Sequence, residues 1–334
     1  MRIALDAMGG DHAPVEIIRG AVDALSLLGS GDELLLIGRT DTIESHLPNA
    51  PAIRRQIRIH HASDVIGMDE APVEALRHHK DSSLVVMARL AADRQVDAVI
   101  SAGNTGACAA ACQLRMRTLG HVQRPGIAVV LPSFYGPLVI CDVGANVAPK
   151  PQHLFQYAHM AGIYAEGILN IDKPRVGLLS IGGEDAKGSA LVKQTRALIR
   201  PDARVNFIGN VEGRDLFQGL CDVVVTDGFT GNVVLKISEG LSHGLFDTIE
   251  REIAVEGADL AGRFKPVVEA IWARHDYSEY GGAPLLGING VCIICHGSSK
   301  RHAIMNAIRV AREYVLSDLN AIIMARFTEE TVDA

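Results

Sequence analysis

The chain predicts an α/β fold in which a mostly parallel sheet is flanked by helices and a helical hairpin projects from the body. Three observations carry that expectation. Apolar β-branched runs alternate with helical patterns along most of the 334 residues, as parallel strands joined by crossover helices require. Three glycine and asparagine segments, Ser101 to Ala107, Asp142 to Asn146 and Asp227 to Asn232, each directly follow such a run. The composition is 48% hydrophobic but only 4% aromatic, so aliphatic packing must build one α/β unit over 1–334, as a single body or as two lobes with a cleft between them.

A strand is expected at once, over Ile3 to Leu5, followed by a helix over Val15 to Leu27. Pro14 stands at a plausible first helical position, where a missing N–H is tolerated. Further strands are expected at Leu34 to Ile37, Ile57 to Ile59, Ala98 to Ile100, Ile127 to Leu131, Leu138 to Cys141, Val176 to Leu179, Val205 to Ile208, Val223 to Val225 and Val291 to Cys295. Helical periodicity marks Leu84 to Ala92 and Leu154 to Ala165. Over 239–275 the rhythm breaks, with no strand and two apolar blocks at helical spacing. Leu241, Leu245, Phe246, Ile249 and Ile253 form the first; Phe264, Val267, Val268, Ile271 and Trp272 form the second. This is the hairpin. It could pack in the core or a dimer, cover a site, or touch a membrane. Its acidic residues outnumber its basic ones, so any lipid or acyl contact through Phe264, Val268, Ile271 and Trp272 would be mainly apolar. The polar tail from about Thr328 is expected to fray.

A net charge of −7 without a long basic run argues against a nucleic-acid binder. The apolar stretch at the N-terminus is too short for a signal sequence, and no stretch of about 20 apolar residues occurs, so a cytoplasmic, non-spanning protein is expected. Cys292 and Cys295 fall on an expected strand with their thiols on opposite faces, and no second pair stands at ligand spacing; no metal is expected. Cys108 and Cys112, among alanines on an expected helix, read as small core residues.

In an open parallel sheet, loops that leave the carboxyl ends of strands share one edge, so the three glycine segments are expected to converge on one crevice. Glycines permit tight turns, and the N–H groups at a following helix start point toward an anion. The candidates for phosphate or substrate contact are Gly103, Asn104, Thr105, Gly106, Asp142, Asn146, Asp227, Gly228, Thr230 and Gly231. Neither a dinucleotide fingerprint nor a Walker A sequence is present, which favours a smaller anion such as phosphate. Lys187, in Gly182 to Gly188, is a compact charge suited to phosphate or to developing negative charge. Asn232 closes the third segment, where its amide could donate to an oxyanion or cap a helix. His12, after the first strand, and His296, after the last, are acid–base or phosphate candidates with no partner evident in the sequence.

Asp6 to Asp11 (DAMGGD), SAGNTGA, DVGAN, Gly183 to Gly188 (GEDAKG), Asp227 to Val233 (DGFTGNV), Tyr280 to Gly287 (YGGAPLLG) and His296-Gly297 occur in that order. Together they resemble the bacterial phosphate acyltransferases, the acyl-carrier-protein:phosphate acyltransferases of phospholipid synthesis. The resemblance implies transfer of a long-chain acyl group from acyl carrier protein to inorganic phosphate, giving acyl phosphate for glycerol-3-phosphate acylation. It also implies a homodimer without a cofactor, with peripheral membrane association and hand-over to a membrane glycerol-3-phosphate acyltransferase. The implied fold is similar to phosphotransacetylases and to isocitrate and isopropylmalate dehydrogenases. On the resemblance, Lys187 and Asn232 are the leading catalytic candidates. The carrier is acidic, and Arg115, Arg117 and Arg124 offer a docking patch. Many members of the family it resembles carry Asp where this chain has Ala148 and Lys where it has Cys295, and their hairpin is often more basic. Two other readings are a NAD-dependent dehydrogenase on the same fold, for which a cofactor fingerprint is missing, and a non-catalytic carrier or membrane scaffold, which has no need of three anion loops.

Overall fold

Alternate residues of the first strand enter opposite cores: Ile3 and Leu5 join one apolar cluster and Ala4 the other. A sheet covered on both faces selects near-continuous apolar strands, and AVIS at 98–101 and VVV at 223–225 are fully buried. The computed structural model describes residues 1–255, 258–275 and 277–328, with the side chains of 258–261, 272–275 and 277 outside that description.

The strands are β1 (Arg2–Asp6), β2 (Glu33–Gly38), β3 (Ile57–His61), β4 (Ala98–Ser101), β5 (Gly126–Ser133), β6 (Gly136–Cys141), β7 (Val176–Leu179), β8 (Phe207–Val211), β9 (Val223–Val225), β10 (Ala283–Leu286) and β11 (Val291–Ile294). They form one sheet in the order β3-β2-β1-β4-β11-β10-β5-β6-β9-β7-β8. The helices are α1 (Val15–Asp23), α2 (Thr40–His46), α3 (Pro51–Gln56), α4 (Pro72–His78), α5 (Ser83–Ala92), α6 (Thr105–Met116), α7 (Pro151–Gly167), α8 (Ala190–Ile199), α9 (Gly228–Val255), α10 (Ala258–His275), α11 (Arg301–Leu316) and α12 (Leu319–Thr328). One face of the sheet packs against α1, α7, α11 and α12, the other against α5 and α6. Side chains cap α5, α6 and α8: Ser82 Oγ accepts from Val85 N–H, Asn104 Oδ1 from Ala107 N–H, and Ser189 Oγ from Val192 N–H.

The direction of the strands decides where loops emerge. β10 is antiparallel to β11 and to β5, and β5 is antiparallel to β6. The parallel set β1, β2, β3, β4 and β11 therefore runs opposite to the parallel set β6, β7, β8 and β9. The sheet is therefore not one parallel edge, but the expected crevice is present: Thr105, Val143 and Asn232, one from each glycine segment, line a single cleft. Ser101 to Ala107 leaves its half of the sheet in one direction, and Asp142 to Asn146 and Asp227 to Asn232 leave theirs in the other. The two halves are staggered so that these carboxyl ends meet: Ser101 pairs with Ile294, Ile294 with Ala283 and Leu285 with Ile127, which puts Ser101 level with Val129, one residue or about 3.3 Å from Ala128, the partner of Cys141.

The hairpin is present as α9 and α10, but α9 begins at Gly228, before the expected start at 239. The DGFTGN segment is thus largely its first turn. Two other differences have local causes. The expected strand at Val205 starts at Phe207, because Asp202 holds a turn by accepting from Arg204 N–H at 3.0 Å on its side chain and from Val205 N–H on its backbone carbonyl. β10 follows Gly281 and Gly282, both at positive φ, and contains Pro284, so its four residues read as loop.

Beneath α7, His159 has a fully buried ring whose Nε2 lies 3.0 Å from Asp202 Oδ2, while Nδ1 has no partner. Burial holds this imidazole down at about 4 despite Asp202, with Arg204 and Arg326 adding to the shift. The unfolded chain therefore binds a proton that the folded chain refuses. This contribution to stability is complete above about pH 6.5 and lost as pH falls toward 4, by up to about 3 kcal/mol. Urea unfolding at pH 7 and pH 5 should show a smaller loss for His159→Gln than for the unsubstituted protein; equal losses would exclude this residue as the cause.

Candidate active site

Around the loop after β4, most of the expected contacts hold the loop itself. Asp6 is buried and accepts from Ser101 Oγ at 2.8 Å and from Met8 N–H at 3.1 Å. Burial pushes its carboxyl above the ordinary range, opposed by bonds from Ser83 and Ser101. Gly103 lies against Ser101 and Asp6, and Gly106 against Pro72. The Asn104 amide donates to the carbonyls of Gly67, Met68 and Glu70, and its oxygen caps α6. Asn104 is therefore a clasp between loops rather than a free phosphate donor. Only Thr105 of this group lines the cleft described below.

The DVGAN loop, whose Val143 lines the same cleft, already encloses an anion, its own. Asp142 is fully buried, and its carboxylate accepts from the N–H groups of Ile127, Gly144, Ala145 and Asn146 at 2.6 to 3.1 Å. Burial raises its pKa against those bonds. Asn146 donates to the Pro125 carbonyl and to Tyr157 Oη. Asp142 and Asn146 thus bind each other's loop, which corrects their assignment to phosphate. The start of α9 packs onto the same loop: a Cβ on Gly228 would meet the Asn146 carbonyl at 2.7 Å, and one on Gly231 would overlap the Asp142 carbonyl. Asp227 accepts from the N–H and hydroxyl of Thr230, closing the helix start. These glycines and this cap position α9.

What they position is Asn232, which lines a cleft of about 130 Å³ beside α9. Ile127, Val129, Leu235 and Ile294 supply apolar walls, and Asn232, Lys236, Glu239 and His296 supply polar groups. Lys236 Nζ lies 2.8 Å from His296 Nε2 and pairs with Glu239 at 2.8 Å; His296 Nδ1 lies 2.7 Å from Ser298 Oγ. His296 Nδ1 also accepts from the Ser298 N–H at 3.2 Å. Burial and the neighbouring Lys236 charge hold His296 below the usual imidazole range, so it is neutral at pH 7. The sequence reading missed Lys236 and Glu239. Lys236 stands four residues after Asn232, one turn along the same helix face, and that spacing was the available signal.

Lys187 does not line this cleft. It is exposed on the loop after β7 and makes no ion pair among the described residues. That loop leaves the same edge as Asp227, with β7 next to β9, and the Asn210 amide holds it by donating to the carbonyls of Gly182 and Glu184. Arg115 and Arg117 stand at the end of α6 and Arg124 precedes β5; all three are exposed. His12 is exposed on the β1 loop, which meets the His296 loop where Asp11 N–H donates to the Gly297 carbonyl.

On the hairpin, Ile237, Leu241, Leu245, Phe264 and Val267 are exposed, and Ile271 is 38% exposed. Val268 is instead buried beside Ile253 between the two helices, which corrects its assignment to a lipid surface. The Trp272 side chain lies outside the described residues. No helix among the described residues is long and apolar enough to cross a membrane.

Residues 1–322 match the family described as fatty acid synthesis protein. The chain is 50% identical over 329 residues to a phosphate acyltransferase of Heliobacterium modesticaldum, covering 97% of this chain and 96% of the relative. It is 47% identical over 341 residues to a phosphate acyltransferase of Halothermothrix orenii, covering 99% of each. Among solved structures, a phosphotransacetylase from Streptococcus pyogenes superposes with a TM-score of 0.60 at 14% identity, covering 95% of this chain and 94% of that one. A branched-chain phosphotransacylase from Enterococcus faecalis gives 0.59 at 14% identity, covering 94% and 99%. At such identity the likeness carries the fold alone, and it agrees with the α/β architecture expected from the sequence.

Proposed function

The chain belongs to the fatty acid synthesis protein family as an acyltransferase, and from that premise we propose that it moves a long-chain acyl group from acyl carrier protein to inorganic phosphate. The observation that carries this reading is the cleft, which joins apolar walls to an amide and a cation on consecutive turns of α9. An acyl thioester needs that combination at its reacting end: apolar contact for the first methylenes beside a polar mouth at the carbonyl.

Phosphate is itself a nucleophile, so no enzyme-bound acyl intermediate is required. A phosphate oxygen attacks the thioester carbon, the tetrahedral oxyanion collapses, and the carrier leaves as its thiol. In this reading Asn232 donates to the oxyanion, and Lys236, held by Glu239 and His296, adds positive charge one turn away. Lys187, exposed on the same edge as the start of α9, neutralises phosphate and holds it in line. The exposed apolar stripe of the hairpin is the surface for a second copy or for the bilayer where acyl phosphate is handed on.

Palmitoyl-acyl carrier protein incubated with the protein and inorganic phosphate should give acyl phosphate, trapped by hydroxylamine as the hydroxamate. Product formed equally without phosphate would reject the reaction. Charge reversal at Arg115 and Arg117, both to Glu, should raise the apparent KM for the carrier about tenfold while leaving turnover at saturation. An unchanged KM would remove that patch from carrier docking.

A further inference from the structure

One cluster of reactive side chains lies outside the cleft. Cys108 and Cys112, one turn apart on α6, face Cys292 on β11. Cys292 Sγ is 3.8 Å from Cys108 Sγ and 3.6 Å from Cys112 Sγ, and no pair of the three exceeds 4.8 Å. Each residue is at most 1% exposed. The neighbouring Ala107 and Ala111 fill the same layer with methyl groups, so packing alone does not call for three thiols meeting from two elements.

Thiolate bonds of about 2.3 Å place the sulfurs of a planar three-coordinate centre about 4 Å apart, and those of a pyramidal one closer. Two of the three sulfur pairs are already at that spacing, and the third is within 4.8 Å. Zinc takes a fourth ligand, and among the described residues no histidine or carboxylate joins the three. Charge then selects among three-coordinate thiophiles. Three thiolates around Cu(I) would leave two negative charges in a dry core, at several kcal/mol each; a trivalent centre leaves none.

We propose that Cys108, Cys112 and Cys292 form a three-thiol site for a trivalent thiophilic oxyacid of the arsenite class, bound as a neutral trithiolate. Arsenous acid enters uncharged, which suits a site that opens only by local fluctuation. Three S–H and three As–O bonds break, three As–S bonds form and three waters leave, with no change of oxidation state. The product would staple α6, whose first residue Thr105 lines the cleft, to β11, whose end leads to His296. Occupancy is therefore expected to lower turnover.

The test adds arsenite to the reduced full-length protein and reads arsenic stoichiometry together with the arsenic X-ray absorption shell. One arsenic per chain in a shell of three sulfurs and no oxygen is expected. Affinity should fall at least about a hundredfold in Cys292→Ser and stay unchanged in Cys221→Ser, a buried cysteine outside the cluster. The shell of the unsubstituted protein decides the matter even if Cys292→Ser does not fold. No bound arsenic, a shell that retains oxygen, or undiminished binding by folded Cys292→Ser would overturn the proposal. So would an all-sulfur Cu(I) site in protein that refuses arsenite, because the charge argument would then have failed.

Discussion

Lys187→Ala should lower phosphate-dependent acyl phosphate formation by roughly 10²–10³-fold, the loss typical when one preorganised electrostatic contact to the transition state is removed. The fold should hardly respond. Lys187 is exposed and unpaired among the described residues, and such surface substitutions usually stay within about 0.5 kcal/mol. Lys187→Arg keeps the charge but replaces a compact ammonium with a planar fork, so it should recover only part of the activity. If phosphate is what Lys187 holds, the loss will appear in the phosphate KM as well as in turnover, with the carrier KM little changed. Turnover unaffected by Lys187→Ala would leave Asn232 and Lys236 as the active groups and return Lys187 to the solvent.

Asp142→Ala should cost roughly 3–5 kcal/mol, because in this fold the carboxylate holds its own loop. The buried carboxylate is the acceptor for the N–H groups of Ile127, Gly144, Ala145 and Asn146, and each buried donor left without an acceptor costs about 1–3 kcal/mol before water or relaxation compensates. A domain stable by 5–15 kcal/mol would lose a large share of its margin. Because the first turn of α9 packs on this loop, activity should fall with stability and recover in part with stabilising osmolyte. A urea midpoint within about 1 kcal/mol of the unsubstituted protein would show that water replaces the carboxylate easily.

The sequence conveyed the strands well because central strands covered on both faces are continuous apolar runs, as at 98–101 and 223–225. It conveyed the edges badly. Nothing in YGGAPLLG indicates that β10 inserts antiparallel between β11 and β5, and the loops reach one cleft from two oppositely directed, staggered halves rather than along one parallel edge. The glycine loops misled for a related reason. A loop that presents N–H groups to phosphate and one that presents them to its own aspartate share the same residues, and only the fold shows that Asp142 already fills the second. Cys108 and Cys112 were readable as buried, but their meeting with Cys292, 180 residues beyond Cys112, depends on β11 pairing with β4.

The long ninth helix also acts as a lever. Its 28 residues make a rod about 42 Å long, with Asn232 and Lys236 within about 12 Å of the anchored end. Tilting the rod by about 5° around Gly228 would swing the far end by about 4 Å and Lys236 by only about 1 Å. Whatever grips the outer turns would thus be geared down into a fine adjustment at the cleft, a ratio that paired spin labels at the two ends could measure with and without carrier. Gly231, pressed against the Asp142 carbonyl, sits at the fulcrum.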